Sequence, residues 1–218
     1  LNREQLTIPH EVKLSEKAAA MYQQLERTML LPFADGDVDA ATAAILTNKL
    51  LQLAGGAVYD ENGKAQIVHD QKLEVLDQLI EEANGQPVLV FYNYKHELDR
   101  LQARYPQAIH VKEENVVKRW NAKEIPILLA NPASAGHGLN LQFGGHIAIW
   151  YSPTWNLEFF QQANKRLHRR GQAETVLIHT LMAKGTIDER IYDIVLRNKE
   201  AGQNALLEAV KARIKEVT

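Results

Sequence analysis

The chain has 218 residues, 45% of them apolar and 24% charged, with 12 Gly, 7 Pro and no Cys; this balance belongs to a globular protein and excludes disordered, collagen-like and disulfide-stapled classes. Its 25 Lys+Arg against 27 Asp+Glu leave a net charge of -2, so any anion-binding surface has to be local. The missing thiols remove Cys-ligated metals and thiolate nucleophiles and fit a reducing, cytoplasmic setting, and no run approaches the roughly 18 apolar residues of a membrane span, so no membrane partner is expected.

The opening Leu1-Asn2-Arg3 is expected to be an internal stretch of something longer. Residues 15–54 read as two helices broken at Leu31–Asp37. The first carries Met21, Leu25, Thr28 and Met29 at helical spacing, and the second Ile45, Leu46, Leu50, Leu51 and Leu53. Gly55-Gly56 ends that pattern, and the turn signal Asn62-Gly63 makes 57–68 a hairpin, with Asp60-Glu61 at its tip. From Asp70 onward, helical stretches such as Leu73, Leu76, Leu79 and Ile80 alternate with apolar runs at 88–92, 108–111, 127–130, 146–151 and 176–181. Continuous apolar strands alternating with helices predict an α/β fold, a parallel sheet with helices on both faces. Thr186 to Val217 reads as two terminal helices with Ile187, Ile191, Ile194 and Val195 inward, a break at Gly202, and Asp188-Glu189 on a solvated face. The predicted organisation is a helical protrusion and hairpin over 1–64, a sheet lobe over 65–185 and terminal helices over 186–218.

Charge is distributed unevenly. Residues 125–157 contain no Asp, Glu, Lys or Arg, whereas 159–173 carry Lys165, Arg166, Arg169, Arg170 and His168 and no acid. The second stretch reads as one helix, capped at Thr154 or Asn156 and stopped by Gly171, that puts Leu157, Phe160, Ala163 and Leu167 inward and Gln162, Arg166 and Arg169 on an outer face. Two planar cationic forks about one turn apart suit phosphate oxygens. A second reading stands beside it, and spacing alone favours it: basic residues in a last helical turn complement the helix dipole and bond its free carbonyls.

The segment Asn131-Pro132-Ala133-Ser134-Ala135-Gly136-His137-Gly138-Leu139-Asn140 follows an apolar run directly and suggests a strand–loop–helix step, where Gly136 and Gly138 would let a phosphate or ribose approach the backbone. Tight two-glycine turns without any ligand are common in such folds, and for the loop taken by itself that reading is favoured. Loops at the carboxyl ends of parallel strands are where open α/β sheets bind ligands. That edge collects Asn93, Lys95, Ser134, His137 and Trp155, a set suited to a nucleic-acid backbone. No G-x-x-x-x-G-K-[ST] loop, G-x-S-x-G elbow or paired-His metal spacing occurs.

These segments resemble a known set. Leu128–Asn131 through Ser134–Leu141 resembles motif V of the SWI/SNF-like branch of superfamily-two helicases, Gln162–Gln172 resembles motif VI, and Val88–Tyr92 resembles motif IV; Trp155-Asn156 and Thr186–Glu189 with Lys199 extend the likeness. It covers about residues 65–200 and is similar to short bacterial and phage-type members. The resemblance implies a RecA-like C-terminal helicase lobe over 65–185, part of a double-stranded-DNA-stimulated ATPase. ATP and Mg would be held mainly by an N-terminal RecA-like lobe, the chief partner besides double-stranded DNA. Arg166 and Arg169 would be arginine fingers positioned by Gln162, with Gly136, Gly138 and Asn140 near the nucleotide. Lys72, Asn93, Lys95, Ser134, His137 and Trp155 would line the DNA path, the protrusion would occupy residues before 55, and the terminal helices would brace. The lobe by itself is expected to hydrolyse no ATP. A non-catalytic RecA-like scaffold that binds DNA or protein is the alternative. Ala135 stands where many relatives have Gly, a departure from the family pattern.

Overall fold

A computed structural model describes residues 3–35, 37–136, 138–197 and 203–218. The chain divides into two compact units. One takes in the segment up to His10 with Leu73–Ser152 and Glu158–Leu181; the other takes in Glu11–Lys72, Pro153–Leu157 and Met182–Thr218.

The six-stranded sheet has the order β1-β8-β7-β4-β6-β5, from β1 (Gln5–Val12), β4 (Val88–Phe91), β5 (Ile109–His110), β6 (Ile127–Ala130), β7 (Ile147–Trp150) and β8 (Val176–Ala183). Strands β5 to β8 and β4 pair in parallel, with Val88 opposite both Ile127 and Ile147. Parallel pairing needs a crossover between strands; α4 (Lys95–Arg104), α5 (Val116–Asn121) and α6 (Leu157–Asn164) supply three of them, and α3 (Gln71–Glu82) leads into β4. Both faces of the central strands are covered. Leu89, Phe91, Leu128, Ala130, Ala148 and Trp150 join one core with Trp120, Leu141, Ala163 and Leu167, while the alternate residues Val88, Val90, Ile127, Leu129, Ile147 and Ile149 are buried too. This is why the strands read as unbroken apolar runs.

Strand β1 was not anticipated. Its sequence QLTIPHEV is mostly exposed and contains Pro9, both features of a strand at a sheet edge. At its start Val176 N donates to Glu4 O at 2.9 Å, and His10 Nε2 lies 2.8 Å from His179 Nδ1.

Between β6 and β7 the expected helix is replaced by a loop with one 3-10 turn, Ser134–Gly136. The loop's far end is pinned by aromatic packing: a Cβ at Gly144 would overlap the Trp120 carbonyl and lie 2.5 Å from the indole Cδ1. Gly144→Ala is therefore expected to destabilise the fold by about 1–3 kcal/mol, read as a lowered midpoint in urea unfolding.

In the second unit, α1 (Glu16–Leu30), a short turn Leu31–Phe33 and α2 (Ala40–Gly55) match the two expected helices. Ser15 and Asp39 cap them through their side-chain oxygens. The hairpin β2 (Ala57–Tyr59) and β3 (Ala65–Ile67) is antiparallel as read, with Asp60 Oδ1 accepting from Asn62 N and Lys64 N at its tip. The buried face of α1 differs from its apolar stripe. Met21 and Leu25 are exposed, whereas Ala18, Tyr22, Glu26 and Leu30 are buried. Arg213 on α8 (Gln203–Val217) clamps Glu26 with two bonds of 2.7 Å, and Tyr22 OH donates to the same carboxylate at 2.9 Å, which neutralises the charge that burial would otherwise penalise.

The solvated reading of Asp188 is corrected: in α7 (Ile187–Arg190) it is fully buried. Ile187 and Ile191 are buried as expected; the side chains of Ile194 and Val195, and the break at Gly202, lie outside the described residues. Among the described residues no helix is long and apolar enough to cross a membrane.

Candidate functional site

The loop after β6 is shaped by its own first residue. Asn131 Oδ1 accepts from Ala133 N at 3.0 Å and its carbonyl from Ala135 N at 3.0 Å, while its Nδ2 donates to Asn93 O, on the loop after β4, at 3.1 Å. Gly136 closes the 3-10 turn. Gly138 has φ +70° with open space where a Cβ would stand, so backbone conformation rather than crowding demands glycine there. Asn121 Nδ2 then holds Asn140 O at 2.9 Å and Trp120 Nε1 holds Leu141 O at 2.8 Å, which anchors the loop to α5.

The basic stretch is not one helix, a correction to the sequence reading. Helix α6 ends at Asn164, and 165–171 is a run of tight turns in which Arg166 N bonds Ala163 O and Gln172 N bonds Arg169 O. Two buried side chains anchor the turns that follow: Asn164 Oδ1 accepts from Trp150 Nε1 at 2.9 Å, and Gln172 Nε2 donates to Leu167 O at 3.1 Å and Gly145 O at 3.0 Å. Gly171, at φ +96°, turns the chain back towards β8.

These turns bring Arg166, Arg169 and Asn140 together. Leu141 N donates to Arg166 O at 3.2 Å, and Arg169 Nη1 donates to Asn140 Oδ1. The Asn140 amide is neutral, so this bond orients Arg169 without cancelling its charge. Arg169 is exposed and Arg166 half-buried. Burial first, and the adjacent Arg169 charge second, lower the Arg166 guanidinium from its ordinary value, although a guanidinium stays protonated. An open depression of about 490 Å³ is lined by Gln162, Lys165, Arg166, His168, Arg169 and Arg170. Five of these six are bases and none is an acid, which is the electrostatics of an anion site. Gln162 does not bond the arginines; its Nε2 donates to Glu158 Oε1 at 2.8 Å.

The expected DNA-facing residues divide. Asn93 is half-buried with its backbone N on Glu97 Oε2 at 2.8 Å, and Lys95 is exposed with Nζ 3.0 Å from Asp99. Ser134 lines a second depression of about 510 Å³ with Val111, Lys112, Ala133 and Leu139. Lys112 was not singled out from the sequence; its place just after β5, at a carboxyl strand end, was the available signal. Trp155 is half-buried and belongs to the other compact unit, and His137 lies outside the described residues. Lys72 is corrected. It is fully buried, with Nζ 2.6 Å from Asp188 Oδ2, and presents no surface to a phosphate. Among the described residues no group of three or more His, Asp or Glu could hold a metal ion.

Residues 71–171 match the family described as the helicase conserved C-terminal domain. The protein p41 of Acyrthosiphon pisum secondary endosymbiont phage 1 is 40% identical over 210 residues, covering 93% of this chain and 45% of that protein. The chromatin-remodeling ATPase INO80 of Mycosarcoma maydis is 32% identical over 170 residues, 69% of this chain and 9% of that protein. The chain thus spans less than half the length of these relatives. Among solved structures, the C-terminal part of the Fun30 ATPase domain superposes with a TM-score of 0.72 at 16% identity, covering 99% of both chains. The Sulfolobus solfataricus SWI2/SNF2 ATPase core in complex with dsDNA superposes with a TM-score of 0.66 at 20% identity, covering 96% of this chain and 48% of that one. With a mostly parallel six-stranded sheet and the segments that resemble motifs IV, V and VI in order along it, residues 71–171 form a helicase conserved C-terminal domain, in the RecA-like fold shared with the SWI2/SNF2 ATPase cores.

Proposed function

We propose that this lobe is half of an ATP-driven motor that moves along double-stranded DNA, and that Arg166 and Arg169 complete a nucleotide site whose triphosphate cradle and magnesium ligands lie on a first RecA-like lobe. The observation that carries this reading is the junction of the two loops: Arg169 on Asn140 Oδ1 and Arg166 O on Leu141 N, beside a cationic depression without acids. A transferring phosphoryl group spreads negative charge over its equatorial oxygens, and two guanidinium forks, that of Arg169 oriented by Asn140, stabilise that charge. Gln162, held by Glu158 and not by the arginines, borders the same depression, where it faces the nucleotide and the opposite lobe. Gly136 and Gly138 allow close approach of the nucleotide. Asn93, Lys95 and Ser134 contact the duplex backbone, so that closure of the lobes on ATP is coupled to a grip on DNA. The SWI2/SNF2 core to which the fold is similar was solved with dsDNA, which supports that choice of partner.

The complete protein, containing both lobes, tests the reading. ATP turnover is expected to rise on adding duplex DNA and to rise much less with single strands or RNA, whereas the 218-residue chain alone turns over no ATP. A complete protein that binds duplex DNA but turns over no ATP would leave the scaffold reading in its place.

A further inference from the structure

The loops at the carboxyl ends of β4, β6 and β7 are tied to one another through two side chains, Glu97 and Asn131, that the proposed motor chemistry does not use. Glu97 lies in the first turn of α4 and is fully buried. Its Oε2 accepts from Asn93 N at 2.8 Å and Tyr94 N at 3.5 Å, which is the task of a helix-capping carboxylate and takes one oxygen. The other oxygen reaches elsewhere: Oε1 accepts from Ser152 Oγ at 2.7 Å, across 55 residues of sequence. Ser152 is itself fully buried just beyond β7. Asn131 Nδ2 extends the connection to the loop after β6 through Asn93 O at 3.1 Å. A capping carboxylate at a helix start ordinarily keeps one oxygen in water. Burying this one is costly unless its lone pairs are used, and here they join the β4 loop, which carries Asn93 and leads into Lys95, to the β7 loop, while the Asn131 bond adds the β6 loop that carries Ser134.

We propose that Glu97 is a positioning residue for nucleic-acid backbone binding: its bonds to Ser152 and to the Asn93 backbone hold the β4 and β7 loops in one arrangement before DNA arrives, with the β6 loop joined to them through Asn131. The proposal rests on the reading of this edge as the DNA-binding edge. Loops are among the least stable parts of a fold, and ordering them in advance removes a cost that binding would otherwise bear.

The 218-residue chain is titrated against a short fluorescein-labelled DNA duplex over a salt series, with anisotropy as the signal. Ser152→Ala and Glu97→Ala are each expected to weaken binding roughly three- to tenfold and to flatten the dependence of log Kd on log salt, because fewer phosphates are engaged at once. Loss of folded protein alone lowers affinity without changing that slope. Glu97→Gln is expected to restore wild-type binding, since glutamine accepts from Asn93 N and its amide donates to the Ser152 oxygen. If Glu97→Ala does not fold, Ser152→Ala, which deletes a single bond, carries the test. Wild-type affinity and slope in Ser152→Ala, or Glu97→Gln as weak as Glu97→Ala, overturns the positioning role and leaves DNA binding standing. A wild-type chain without salt-dependent affinity for the duplex overturns both.

Discussion

Replacing Arg169 by alanine in the complete two-lobed protein is expected to lower duplex-stimulated ATP turnover by roughly 10³- to 10⁵-fold, the range in which an arginine finger operates, with Arg166→Ala falling in the same range. Neither change should unfold the lobe. Arg169 is exposed, and the hydrogen bond of Arg166 to Leu141 N uses the Arg166 backbone carbonyl, which alanine keeps. Steady-state ATPase rates at saturating duplex, set beside thermal melting curves, separate the two effects. Lysine is no substitute at either position, because a point charge cannot present two parallel donors to phosphate oxygens. Near-normal turnover in both alanine variants would remove these residues from the nucleotide site.

The second large effect concerns stability. Lys72→Ala is expected to cost about 3–5 kcal/mol, the penalty for leaving one member of a buried pair without its partner. Asp188 stays buried in the variant, with Ala183 N, 2.9 Å away, still donating to its Oδ2. That one neutral donor does not replace an ammonium group. Urea unfolding of the wild-type and variant chains measures the loss. A Lys72 that served only to touch DNA would instead leave the unfolding midpoint unchanged and weaken DNA binding, so one pair of measurements distinguishes the two roles.

Much of the lobe was legible in the residues. Strands β4, β6 and β7 are buried on both faces, so their sequences are continuous apolar runs. The hairpin at 57–67 announced itself through Asn62-Gly63. Motifs V and VI were readable because glycines, small residues and paired guanidinium groups meet constraints that act within a few residues of sequence. Strand β1 was not legible, since an edge strand half in water has no unbroken apolar pattern.

By itself, the sequence determined which segments avoid water, where the chain turns and which residue types could meet a phosphate, all properties that depend on near neighbours. Tertiary structure alone decided which charges are neutralised and which face outward. The partners of Glu26 and Lys72 are Arg213 and Asp188, 187 and 116 residues away in sequence, and periodicity carries no record of such distant pairs. It also decided that α6 stops at Asn164, where the Asn164 side chain is held by Trp150 of β7. That early stop places Arg166 and Arg169 on turns beside Asn140 instead of along a helix face. Local pattern reports the solvation of each residue, whereas ion pairing and the aim of a side chain depend on what the fold brings alongside it.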